Sequence, residues 1–144
     1  MKVQFKFLNQ GDCVHIEISG QVTKEKLIQA QQLFVNAEWY HPGLDEICEF
    51  TNCSFEKIDP LDILELISLQ QSTREIDRQA KIAFVSDQPT VFQLVSEYIL
   101  MGRELSGEIK QFSNFLDAKT WIDKPRIKMV NNAYPNCRRR KSTS

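Results

Sequence analysis

The sequence predicts an α/β protein with a mixed sheet of about five strands and four helices, in the order β-β-α-β-α-β-α-β-α. Two observations carry the prediction. Two alternating segments at the start are typical of an antiparallel hairpin, and helices and strands then follow one another along the chain. The 144 residues, 42% of them hydrophobic and 26% charged, suffice for one domain with a single core.

The hairpin is predicted from the period of its side chains. Apolar and polar residues alternate over residues 2–7 and again over 14–19, and the turn cluster Asn9–Asp12 separates them. The second segment ends at Gly20. His15 falls on the polar phase of this strand, so we expect it to be exposed.

The later elements are predicted from caps and apolar spacing. Thr23 and Asn114 suit the N-caps of the first and last helices, and Asp59 precedes a proline at the first position of the second. The near-continuous apolar run Lys81–Ser86 predicts a central strand covered on both faces. Pro89 fixes the first turn of the third helix, with Asp87 or Gln88 as its cap. The remaining strands are predicted at residues 46–50 and 108–112.

Charge divides the chain into two parts. Residues 124–144 hold seven basic residues and no acidic ones, whereas residues 1–123 hold 11 basic and 19 acidic residues, a net charge of −8. We expect a folded domain over 1–123 and a flexible basic tail over 124–144. The run Arg138–Lys141 could meet an acidic surface, a nucleic acid or an anionic lipid, or it is simply solvated. The acidic body argues against dedicated nucleic-acid binding.

Location and redox state follow from the same composition. No apolar run approaches the length needed to span a bilayer, and the N-terminus alternates like a strand, so we expect a cytoplasmic protein that is not transmembrane. The four cysteines lack a C-x-x-C spacing, and reduced thiols are expected instead of a metal site.

Signatures of known catalysis are missing from the sequence. There are five glycines, and none forms a G-x-G-x-x-G or G-x-x-x-x-G-K-[ST] loop or a G-x-S-x-G elbow. Asp59 and Asp62 are explained by a helix start, and His41 by a loop. We therefore expect a protein that is not an enzyme and needs no cofactor.

Two features keep a binding role open. Glu49 lies on a predicted interior strand, where a carboxylate must reach water or find a partner, so it lines a functional pocket or the rim of the sheet. Four aromatic residues fit core packing or, alternatively, an apolar pocket between the sheet and the third helix: Phe84, Phe92, Tyr98 and Trp121.

The order of the elements, the start of the first helix (Gly20–Leu27) and two local patterns match one known family. The patterns lie at the ends of the fourth and fifth strands and in the turn and helix that follow: Ala83, Phe84, Val85, Asp87, Pro89, Phe112, Ala118, Trp121 and Ile122. On these residues the chain resembles the SpoIIAA-like family, and through it the STAS domain of sulfate transporters and anti-sigma factor antagonists. The resemblance covers about residues 1–123.

The resemblance implies a non-catalytic regulatory module that engages a protein partner or a small ligand. Matching the phosphorylated motif of the antagonists places Asp59 on its aspartate and Pro60 on its serine, so the serine switch cannot operate there. Ser54 is a possible substitute, and Glu49 matches a family aspartate. The family is also likened to lipid-binding domains, which implies a carrier or sensor of a lipid or fatty acid as the alternative.

The candidate surface for a partner or ligand is the group of turns after the third and fourth strands, where α/β proteins commonly bind ligands. A homodimer is also possible. The residues of this surface, together with the two acidic positions named above, are Glu49, Thr51, Asn52, Cys53, Asp59, Ser86, Asp87 and Gln88.

Overall fold

A computed structural model describes residues 1–73, 77–102 and 106–125. The predicted α/β class and the five-stranded mixed sheet with four helices are confirmed. The basic run Arg138–Lys141 lies outside the described residues. Among the described residues, no helix is both long and apolar enough to cross a membrane.

The strands lie side by side in sequence order. They are β1 (Lys2–Leu8), β2 (Cys13–Gln21), β3 (Asp45–Ser54), β4 (Asp77–Val85) and β5 (Ser106–Phe112). β1 pairs with β2 antiparallel, as the hairpin prediction requires, and each later pair is parallel. The helices are α1 (Lys24–Val35), α2 (Pro60–Thr73), α3 (Pro89–Gly102) and α4 (Phe115–Ile122).

The predicted caps form as hydrogen bonds. The Thr23 side chain accepts from the backbone N–H of Lys26, and the Asn114 side chain accepts from that of Asp117. At the start of α2, Asp62 donates its backbone N–H to the Asp59 carboxylate at 3.0 Å, and Asp59 donates its own to Asp62 at 3.2 Å. This reciprocal pair satisfies two backbone donors that a helix start otherwise leaves open.

Helices α1, α2 and α3 cover one face of the sheet, which we call the three-helix face. Phe34 of α1 and Val91 and Val95 of α3 share a core there with Val14 and Ile16 of β2. The opposite face, which we call the α4 face, packs against α4 through a second cluster. That cluster consists of Cys13, Ile47, Ala83, Val85, Ala118, Trp121 and Ile122.

Helix α2 is held mainly by its neighbours. Ile63 and Ile67, its buried residues, form a separate cluster with Ile58, Leu94 and Tyr98 and not with the strands. The Lys24 ammonium also lies 3.2 Å from the Glu65 carboxylate, an ion pair that joins α1 to α2. Helix α2 therefore packs against α1 and α3 more than against the sheet.

A buried lysine fastens α4 to the sheet. Lys81 of β4 is 3% exposed, and its ammonium donates to the carbonyls of Trp121 at 2.9 Å and Lys124 at 2.8 Å. It thereby supplies donors to carbonyls at the end of α4, where a positive charge also complements the helix dipole. The backbone N–H of Lys81 donates to Asp45 at 2.8 Å, which ties the same point to β3.

We predict that Lys81→Met lowers the free energy of unfolding by about 2 kcal/mol, because the hydrogen bonds from a charged donor are lost. Urea unfolding measures the change. Lys110→Met is the matched control, since the Lys110 ammonium is also near the Trp121 ring, at 5.8 Å, but is on an exposed residue. An equal loss in both variants would contradict the prediction.

Candidate functional site

A cavity lies between the three-helix face of the sheet and the helices that cover it. Its volume is about 180 Å³. The sheet contributes apolar side chains from several strands, and all three helices contribute others. Those from strands include Phe5, Ile16, Ile18, Cys48, Phe50, Ile82 and Phe84. Those from helices include Leu27, Phe34, Ile63, Leu66, Leu94 and Tyr98.

The position of α2 accounts for the cavity. Ile63 and Ile58 belong to the cluster that α2 forms with α3, whereas Cys48 and Phe50 belong to the core on the sheet, and all four border the cavity. The sheet core and the α2–α3 cluster are separate, and the cavity lies between them. Phe84 lies on an interior strand and is still partly exposed, because its ring faces this space.

Among the described residues, Tyr98 adds a phenol to the cavity wall, and Gln31 and Glu46 add an amide and a carboxyl group. Gln31 projects from α1, and Glu46, which is 7% exposed, projects from the start of β3. α1 runs antiparallel to β2 and β3, so its second half, which contains Gln31, lies toward the end of the sheet where β3 begins. The cavity is thus apolar over most of its wall, with polar groups toward one end.

The four predicted pocket aromatics divide between three places. Phe84 and Tyr98 border the cavity, and their rings are 5.8 Å apart in an edge-to-face contact. Phe92 is 39% exposed on α3, and Trp121 packs on the α4 face against Phe112. Helical spacing alone could not separate these positions, because Trp121 belongs to a helix on the other side of the sheet.

The end of β3 and the turn after β4 form a connected and largely exposed surface. The prediction of a turn at Thr51, Asn52 and Cys53 is wrong, because β3 continues to Ser54 in register with β2. The Gln88 side chain accepts from the backbone N–H of Cys53 at 2.9 Å and donates to its carbonyl at 3.0 Å. Asn52 is the extra residue of a bulge opposite Ser19 and Gly20, with φ of 50°, a conformation that asparagine tolerates well.

The other predicted residues of this surface have clear local roles. Thr51 and Asp87 are exposed, whereas Ser86 is 5% exposed and its hydroxyl accepts from the backbone N–H of Gln88. Gln88 is the N-cap, since its carbonyl accepts the first helical bond, from Phe92. Asp59 is not part of this surface contact and caps the start of α2, the helix that follows β3.

The α4 face carries a second polar cluster, and here the prediction for His15 is wrong. His15 is 7% exposed, its Nε2 lies 2.8 Å from the Glu49 carboxylate, and its ring lies 4.6 Å from that of Phe115. The error has a physical cause. β2 is an interior strand and α4 covers the face that the alternation assigned to solvent.

Glu49 is paired with His15, and it does not border the cavity. It lies on the α4 face, with His15 between it and Glu17, whose carboxylate is 3.7 Å from His15 Nδ1. One ligand atom from each of the three residues lies within 4.8 Å of the others, a set that a divalent ion such as zinc accepts. The Lys6 ammonium, 3.1 Å from Glu17, already neutralises part of this charge.

The thiols of the described residues are free and buried. Cys13 lies on the α4 face, Cys48 borders the cavity, and Cys53 donates its thiol to the carbonyl of Ile18. Burial, with a smaller effect of Asp45, raises the pKa of the Cys13 thiol from 9.0 to about 12. Burial likewise raises the pKa of Cys48 and Cys53.

Comparisons with protein-family models, with curated proteins and with solved structures find no match to this chain.

We predict that Glu49→Leu lowers the free energy of unfolding by about 1–3 kcal/mol, since it leaves the buried His15 ring without its carboxylate acceptor. Glu49→Gln keeps an acceptor oxygen and should cost less. Glu17→Gln is the control, since the hydrogen bond of His15 is to Glu49 and not to Glu17. Urea unfolding at neutral pH measures all three, and a Glu17→Gln loss as large as that of Glu49→Leu would refute the assignment.

We predict that Cys13 resists iodoacetamide at pH 8 in the folded protein, because the thiolate is the reactive form and its pKa is about 12. Mass spectrometry of tryptic peptides measures the labelled fraction, with the urea-unfolded chain as the fully labelled reference. Labelling of Cys13 at equal rates in the folded and unfolded samples would contradict the prediction.

Proposed function

We propose that this protein is a non-catalytic binding protein that takes a small hydrophobic molecule into the cavity between the sheet and helices α1, α2 and α3. The observation that carries the proposal is the cavity itself, with its volume of about 180 Å³ and its apolar wall. Small-molecule sites in proteins are concave, mostly apolar and largely preformed. The absence of catalytic signatures in the sequence supports a binding role over an enzymatic one.

The energetics favour an occupied cavity. Protein interiors are close-packed, with few voids larger than a water molecule. The cavity is partly open to solvent, and its apolar wall faces water until a ligand covers it, at a cost of roughly 25 cal/mol per Å² of apolar surface. A ligand that fills the space restores contacts to both the sheet cluster and the α2 cluster, so it should stabilise the fold.

The volume sets the size of the ligand. An apolar cavity of about 150 Å³ holds one benzene molecule, and the volume here, about 180 Å³, is slightly larger. A short alkyl chain or a single six-membered ring fits this space. A long-chain fatty acid or phospholipid requires a larger cavity, so we propose a smaller ligand than the lipid carriers implied by the family resemblance.

The family resemblance adds a second candidate, in which the protein is a cytoplasmic STAS-like module that engages a protein partner. The observation that favours it is the surface formed by Thr51, Asn52 and Asp87, which is exposed and is held in one arrangement by the Gln88–Cys53 hydrogen bonds. Pro60 has no hydroxyl to phosphorylate, so partner binding would be controlled by other means. The cavity ligand is one such means.

Native mass spectrometry of the protein purified from its own cells separates the two candidates. A reproducible added mass in the range of a small organic molecule supports the cavity proposal. A second polypeptide supports the partner proposal, and loss of that polypeptide in a Thr51→Arg, Asp87→Arg variant would place it at this surface.

We predict that ethylbenzene raises the melting temperature of the protein by a few degrees when it is present at about ten times its dissociation constant, because it binds only the folded state. Ala30→Leu should abolish this shift, since Ala30 borders the cavity and a leucine fills it. Differential scanning calorimetry with and without ethylbenzene measures the effect.

The matched control for the filling variant is Gln29→Leu, which places a leucine on the exposed side of the same helix. It should keep the full shift. An ethylbenzene shift of equal size in Ala30→Leu would mean that the ligand binds elsewhere, and no shift in the original protein would refute the cavity proposal.

A further inference from the structure

The side chain of Gln31 carries a hydrogen-bond donor that nothing in the described protein uses. Its Nε2 atom is buried, no acceptor lies within hydrogen-bonding distance, and the residue borders the cavity. Leu27 and Phe34, which flank it on the inner side of α1, are apolar and border the same space. The amide is therefore an unused donor between apolar neighbours on its own helix.

An unused buried donor is unfavourable. A buried polar group without a partner loses its hydrogen bonds to water and regains none, at a cost that a well-packed interior rarely carries. An ordered water needs two to four polar partners, and besides Gln31 the described wall offers only the Glu46 carboxyl group and the Tyr98 phenol. An oxygen carried by a ligand satisfies the amide directly.

The acidic group of the cavity wall acts against one class of ligand. Glu46 is an acidic residue that is 7% exposed, and its side chain borders the same space as Gln31. A carboxylate brought into this cavity would lose most of its hydration and would meet the acidic side chain of Glu46, with no basic side chain among the described residues of the wall. Both effects disfavour an anion, whereas neither acts on a neutral oxygen.

We infer that the ligand is a neutral molecule of about six to eight non-hydrogen atoms whose carbonyl oxygen accepts a hydrogen bond from Gln31 Nε2, with its alkyl part against the apolar wall. This inference rests on the proposed function and names its ligand class. It selects short ketones, aldehydes and esters over the corresponding carboxylates.

Three probes of similar size test the inference: 2-hexanone, hexane and pentanoate. Methyl NMR titrations measure their affinities for the original protein, for Gln31→Leu and for the exposed control Gln29→Leu. We expect Gln31→Leu to weaken 2-hexanone about tenfold, the effect of losing one hydrogen bond, while hexane binds as before. Gln29→Leu should leave all affinities unchanged.

The original protein should also bind 2-hexanone at least tenfold more tightly than pentanoate, and Glu46→Gln should narrow that difference. Gln31→Leu should melt a few degrees higher than the original protein, because the unused donor is gone. Retained hexane binding in Gln31→Leu verifies that its cavity is intact.

The failures are distinguishable. If hexane and 2-hexanone both bind but Gln31→Leu leaves the ketone affinity unchanged, the inference is overturned and the cavity proposal stands. Pentanoate binding as tightly as 2-hexanone would likewise overturn the choice of a neutral ligand. If none of the three probes binds the original protein, both the inference and the proposed function are overturned.

Discussion

The handedness of the crossover connections determines how this molecule is built. Each parallel step, from β2 to β3, β3 to β4 and β4 to β5, moves in the same direction across the sheet. Because such crossovers are right-handed, all three connecting helices fall on one face. Among the described residues, the other face is covered by α4, which follows the last strand and is held by hydrogen bonds from the Lys81 ammonium. The two faces therefore differ in how they are covered. Three helices form a layer on one face, and the short helix α4 packs on the other.

Because the strand order runs in one direction, the expected ligand site is not at the edge of the sheet where ligands of α/β proteins usually bind. Ligands of open α/β sheets commonly bind where the strand order reverses, because the helices there diverge to opposite faces and open a crevice. Here the order does not reverse, and Gln88, in the turn after β4, is hydrogen-bonded to Cys53 near the end of β3. The available space lies under the helices instead, where α2 is supported by α1 and α3 and stands away from the strands. The position of α2 therefore affects both ligand binding in the cavity and the stability of the fold.

The sequence was sufficient for the elements and insufficient for the space between them. Thr23, Asp59 and Asn114 cap helices as predicted, because a cap is a local interaction that a few neighbouring residues specify. The prediction that His15 is exposed was wrong. The alternation of apolar and polar residues shows which face of the sheet a side chain is on, but not whether a helix covers that face. The cavity could not be read from spacing at all, since it depends on how far α2 stands from the sheet. An isolated polar residue in the apolar stripe of α1, Gln31, was the available signal.

Strand β1 forms one edge of the sheet and carries Lys2 and Lys6, which lie two residues before and two residues after Gln4. If a second copy paired antiparallel along this edge with the two Gln4 residues opposite each other, each Lys2 would face a Lys6 of the other copy. Like charges in directly opposed positions weaken a ladder, and exposed lysines are a common protection of sheet edges. The hairpin can thus end the sheet with open backbone groups and still resist edge-to-edge growth into a polymer.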